Sequence, residues 1–67
     1  MTCAFRPTRH AKLQMIERGI SRGEAEEAIA RGVKLRRGPK ILTRLRGIEV
    51  VYQPRKCNNH VITLHRR

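Results

Sequence analysis

Aspartate and tryptophan are absent from this sequence, and the aromatics are reduced to Phe5 and Tyr52. Without aspartate the acidic groups are five glutamates, which form no paired-carboxylate motif and suggest no carboxylate metal site. A core so poor in aromatics must be aliphatic. Cysteine occurs only as Cys3 and Cys57, which make no disulfide framework, and no secretory apolar segment precedes a small-residue cleavage site. A reduced, cytoplasmic protein is therefore expected. No apolar run approaches the ~20 residues of a membrane span. Gly-rich phosphate loops and nucleophile elbows are missing too.

What is present in abundance is positive charge. The chain has 67 residues, one domain's worth, and a formal net charge of +11. A domain this short buries only about 60% of its unfolded surface, so its stability is marginal and a homodimer is compatible with it. Residues 1–30 carry five basic side chains against four glutamates. Residues 31–67 carry eleven basic side chains and a single acid, Glu49. Such crowding of like charge is relieved by a polyanion, which points to nucleic acid as partner.

Two helices open the chain. Pro7 and Thr8 are start signals, and Leu13, Ile16 and Ile20 recur at helical spacing up to a left-handed stop at Gly19. Ser21 and Glu24 form a capping box for a second helix, with Ala25, Ala28 and Ile29 on its buried face and Gly32 as its stop. Residues 1–6 are a short lead-in, strand or frayed. After Gly32 the apolar period changes from 3.6 to 2. Val33 to Arg36, Lys40 to Arg46, Ile48 to Gln53 and His60 to His65 read as strands, with a turn at Gly38-Pro39 and a loop from Pro54 to Asn59. The expected fold class is α+β: a two-helix hairpin followed by a three- to four-stranded antiparallel sheet.

Alternation then divides the sheet. With Leu35, Ile41, Leu45, Ile62 and Leu64 toward the helices, Lys34, Arg36, Arg44, Arg46, Thr63 and His65 share the open face. The third strand is ambiguous, because Val50 and Val51 compete for the core and Tyr52 fits either side. Lys34, Arg36, Arg44 and Arg46 are the expected nucleic-acid contacts, binding through charge rather than base readout. Tyr52 alone could stack on a base.

Two further constellations carry chemistry. His10, Gln14 and Arg18 at i, i+4 and i+8 line one edge of the first helix. They read either as a phosphate and proton site or as helix-end packing, with Arg18 on the last carbonyls. Cys57-x-x-His60 has metal-ligand spacing, with Cys3, His10 or His65 to complete it. A structural zinc site shows two tight pairs, so no metal and no cofactor are expected.

The run His10-Ala11-Lys12-Leu13-Gln14-Met15-Ile16-Glu17-Arg18-Gly19-Ile20-Ser21 resembles the opening motif of a family of small prokaryotic domains of unknown function, His-Ala-x-x-Arg-Met-x-x-Arg-Gly-Ile-Ser. Glu24 to Gly32, Val50-Val51-Tyr52 and Val61-Ile62-Thr63 follow the same pattern. The family's fold is similar to that of RelE-like toxins, small ribonucleases, and the resemblance implies an RNA-directed role. It carries over to His10, Arg18, Tyr52 and Thr63. Where the motif has arginine, this chain has Gln14, a neutral hydrogen-bonder in place of a charged phosphate clamp. The expectation that follows is an RNA-binding domain, with metal-independent cleavage by way of His10 and His65 for proton transfer, Arg18, Arg44 and Arg46 for phosphate, and Tyr52 for orientation. The rival expectation is a non-catalytic module whose basic face docks an acidic protein such as an antitoxin.

Overall fold

A computed structural model describes residues 3–66; Met1, Thr2 and Arg67, and with them part of the expected lead-in, lie outside it. The chain runs β1 (Ala4–Pro7), α1 (Arg9–Arg18), α2 (Arg22–Arg31), β2 (Val33–Arg37), β3 (Lys40–Leu45), β4 (Ile48–Arg55) and β5 (Asn58–Arg66). It is α+β, as the change of apolar period implies. The sheet has five strands in the order β1-β5-β4-β3-β2, and it is mixed rather than purely antiparallel. β2 to β5 form the expected meander, while β1 lies parallel to β5 with Ala4 opposite Asn58 and Pro7 opposite Val61. Four residues without alternation gave no sign of a strand whose partner sits at the far end of the chain.

The parallel register has a covalent consequence. It brings the residues just before Ala4 and Asn58 side by side, and Cys3 and Cys57, with Cα atoms 4.5 Å apart, form a disulfide. The expectation of no bridge is thereby corrected.

Local signals set the helix ends. Thr8 Oγ1 accepts the Ala11 N–H at 3.1 Å, so Pro7 falls outside α1 and closes β1 instead. Gly19 adopts φ 63°, the left-handed stop that glycine permits. The Ser21–Glu24 capping box forms in both directions. Gly32 ends α2 differently from Gly19, with an ordinary φ of −69°. It is glycine because α2 meets β3 there: a methyl group would overlap Thr43 Oγ1 and the carbonyls of Ala28 and Arg44. Thr43, fully buried, donates its hydroxyl to the Ala28 carbonyl at 2.6 Å.

α1 lies along β5 and α2 across β3 and β4, each packed on the sheet more than on the other helix. The core between the layers is aliphatic apart from Phe5 and Tyr52, with Val50, Val61 and Leu64 fully buried. In α1 the buried face is not the expected one. Ala11 and Gln14 point inward, whereas Leu13 and Ile16 are 53% and 79% exposed. The cause is the edge of β5. β1 covers it only as far as Val61, and from there α1 takes over with side chains that satisfy the strand's backbone. Gln14 Oε1 accepts from Leu64 N at 2.9 Å and from Thr63 Oγ1 at 2.7 Å, and Arg18 Nε donates to the Leu64 carbonyl at 3.3 Å. An edge that lacks a strand partner selects polar residues on the helix that seals it.

A candidate nucleic-acid interface

The face of each strand residue follows from register, since residues opposite one another across a sheet share a side. Thr43, Val50 and Leu64 are buried and mark the helix side; Tyr52, opposite Ile41, is 4% exposed on the same side. The ambiguity in β4 is thus resolved with Val50 inward and Val51 outward. Tyr52 is a core residue, and burial raises its phenol above the ordinary value. Its ring is not offered to a base.

In β2 the expected faces are reversed. Lys34 lies opposite Thr43 and Arg36 opposite Ile41, so both belong to the helix side, at an edge that neither helix covers. Val33, Leu35 and Arg37, opposite Arg44, Leu42 and Lys40, belong to the open face. Leu35 is accordingly 50% exposed rather than buried. The reason is the turn. Gly38 with φ 61° followed by proline, whose φ is fixed negative, is a two-residue hairpin turn with Arg37 and Lys40 flanking it. A two-residue Gly-Pro turn fixes which residues face one another, and so the sequence does carry a signal for the faces of β2.

Arg46 also leaves the open face. It sits at φ 51° in the β3–β4 turn and pairs with Glu27 of α2, Nη1 to Oε1 at 2.8 Å. Thr63 turns its hydroxyl to Gln14, helped by the irregularity that sets Thr63 opposite Val51 but Val61 opposite Tyr52. Arg44 and His65 are on the open face as expected, in one transverse row with Glu49 between them. Arg44 and Glu49 form an ion pair.

The open face so built has an aliphatic stripe, Leu35–Leu42–Val51, between two polar rows. Arg37 and Lys40 lie on one side of it, Arg44, Glu49 and His65 on the other. Toward the disulfide end come Gln53, Arg55, His60 and Arg6, the last opposite His60. Arg6, Arg37, Lys40 and Arg55 were not singled out by the sequence pattern, and His60 only for its metal-ligand spacing; register is what collects them on this face.

The acids are segregated as well. Four of the five glutamates lie on the helices. Three of these are paired with arginines on that side: Arg22–Glu26, Arg46–Glu27 and Arg66–Glu24. The Ser21 N–H, with Arg66 helping, holds the Glu24 carboxyl below the usual glutamate range. Among the described residues no carboxylate pairs with Arg37, Lys40 or Arg55.

The helix-one stripe does not assemble as a site. Gln14 and Arg18 are committed to the β5 edge, and exposed His10 lies two turns away from Arg18, about 12 Å along the axis. Arg18 does reach the same edge as His65, through the Leu64 carbonyl. Gln14 has a task arginine cannot perform, because a guanidinium accepts no hydrogen bond. Gln14→Ala should therefore cost about 1–3 kcal/mol by leaving the Leu64 N–H without its partner, measured as a lower urea midpoint at unchanged slope. A loss below a few tenths would show that the bond contributes nothing. Cys57, being disulfide-bonded, leaves His60 without the cysteine partner its spacing suggested. No cluster of three metal-ligating side chains occurs among the described residues, and no helix there is long and apolar enough to cross a membrane.

No curated protein and no solved structure matches the chain. A family model does: the one described as Domain of unknown function (DUF4258) matches residues 8–66, from the cap of α1 to the last residue of β5, and the chain belongs to that family.

Proposed function

We propose that this domain binds nucleic acid, RNA in particular, across the open face of its sheet. The observation that carries this is the placing of the acids, which leaves the open face with cations and almost no carboxylate. Arg37, Lys40 and Arg55 have no carboxylate partner among the described residues and lie on a face whose single acid is Glu49, whereas the helix side holds four glutamates, three of them paired with Arg22, Arg46 and Arg66. The aliphatic stripe between the two polar rows suits the flat surfaces of unpaired bases, and the absence of an exposed aromatic makes binding electrostatic and sequence-tolerant. The resemblance to RelE-like toxins favours RNA over DNA.

Cleavage is the stronger form of the proposal. In metal-independent cleavage the 2′-hydroxyl oxygen bonds to the adjacent phosphorus and loses its proton to a base. The bond to the 5′-oxygen breaks, and that oxygen takes a proton from an acid. Arg44, Glu49 and His65, side by side in one row, offer a cation for the phosphate and two groups that exchange protons.

Titrating single-stranded RNA at several salt concentrations tests binding. Removing one cation that neutralises a phosphate should flatten the log–log salt dependence by about 0.7, so R37A/K40A/R55A should reduce the slope by about 2 and weaken binding at least tenfold. R22A/R46A, which removes helix-side arginines already paired with glutamates, should leave the slope unchanged. Equal effects from both variants would reject the open face. Incubation with RNA in the presence of a chelator tests cleavage: product that disappears with H65A supports it, and product unaffected by H65A and by H10A rejects the assignment.

A further inference from the structure

The two edges of the sheet are treated very differently. At one end β1 covers β5 up to Val61, and α1 seals the remainder with Gln14 and Arg18. At the other end β2 has no neighbour beyond it among the described residues, and all five of its residues are exposed. The outward backbone groups there can be named. Arg37 and Lys40 flank the two-residue turn, so they exchange hydrogen bonds with each other, as do Leu35 with Leu42 and Val33 with Arg44. The N–H and C=O groups of Lys34 and Arg36 consequently point away from the sheet. An unpaired row of this kind is a template for one more strand.

Its side chains say which strand. Val33 and Leu35, 80% and 50% exposed, stand on the open face. Lys34 and Arg36 stand on the other face; the Lys34 ammonium reaches only the Gly32 carbonyl, and neither residue has a carboxylate partner among the described residues. A second copy of this chain is the wrong occupant, because antiparallel pairing of two β2 edges about Leu35 sets Lys34 against Arg36, like charge facing like charge. We infer that the β2 edge accepts an extended segment of a partner protein in which acidic and aliphatic residues alternate. Its backbone pairs with Lys34 and Arg36, its carboxylates face their side chains, and its aliphatics extend the row begun by Val33 and Leu35. The site adjoins the RNA-binding face along Val33 and Leu35 but rests on the edge backbone and on Lys34 and Arg36, which that face does not use.

Amide hydrogen exchange at Lys34 and Arg36 reads this directly, since outward edge amides are otherwise open to solvent. The probes are a seven-residue peptide alternating valine and glutamate, an isomer of the same composition with its glutamates grouped, and single-stranded RNA. The alternating peptide should slow both amides at least tenfold and the isomer should not. K34E/R36E should lose the valine–glutamate peptide and take up a valine–lysine one, whereas K40A/R55A, impaired for RNA, should bind the first peptide as the parent does. The inference is overturned if millimolar alternating peptide gives no protection, if the isomer protects equally, or if RNA alone slows these two amides as much.

Discussion

Reducing the Cys3–Cys57 disulfide should destabilise the domain by about 4 kcal/mol and lower its melting temperature by roughly 20 °C. The size of the effect comes from the loop. The bridged residues are 54 apart in sequence, nearly the whole chain, and the entropy a cross-link removes from the unfolded state grows with loop length. A domain of this length has about 3–10 kcal/mol in total to lose. β1 is held to the rest by four residues of parallel ladder, by Phe5 in the core and by this bond. Thermal melts with and without reductant measure the loss, and C3S/C57S should match the reduced protein. Coincident melting curves would mean that the bridge does not constrain the unfolded chain.

Gly32→Ala should cost about 3 kcal/mol, more than alanine at any other glycine whose surroundings are described. The backbone at Gly32 is ordinary, so the penalty is entirely one of space. The added methyl meets Thr43 Oγ1, which is hydrogen-bonded to the Ala28 carbonyl, together with that carbonyl itself and the carbonyl of Arg44. Relief requires α2 to lift off β3 or Thr43 to give up its bond, and both forfeit buried packing or a buried hydrogen bond. Gly38→Ala is the contrast: its φ of 61° disfavours a side chain, yet nothing lies within reach of the added methyl, so about 1 kcal/mol is expected. Urea denaturation of the two variants orders them. A Gly32→Ala protein within half a kcal/mol of the parent would show that helix and sheet do not approach so closely.

Much of the fold was legible because local chemistry and tertiary structure agree. Thr8, Gly19, Ser21 and Glu24 act as their types suggest, and Ala25 and Ala28 allow α2 to lie close on the sheet. What could not be read locally was set by distant partners. β1 shows no alternation because half its definition comes from β5, and the disulfide depends on that pairing. α1 inverts the hydrophobic expectation because the β5 backbone needs hydrogen-bond partners more than the core needs Leu13 and Ile16. For the candidate site the difference is one of register. A shift of one residue in β2 exchanges every side chain between faces, which moved Lys34 and Arg36 away from Arg44 and His65 and put Arg37 in their place. Arg37, Lys40, Arg44 and Arg55 lie on the open face, and of these only Arg44 is among the cations that alternation singled out for it.

A residue-resolved map of single-stranded RNA on the labelled protein tests the proposed binding face most directly. Amide shifts are predicted at Arg37, Lys40, Leu42, Val51, Gln53 and Arg55, with α1 and α2 unmoved. Shifts concentrated on the helices, or spread without preference over the whole surface, would contradict it.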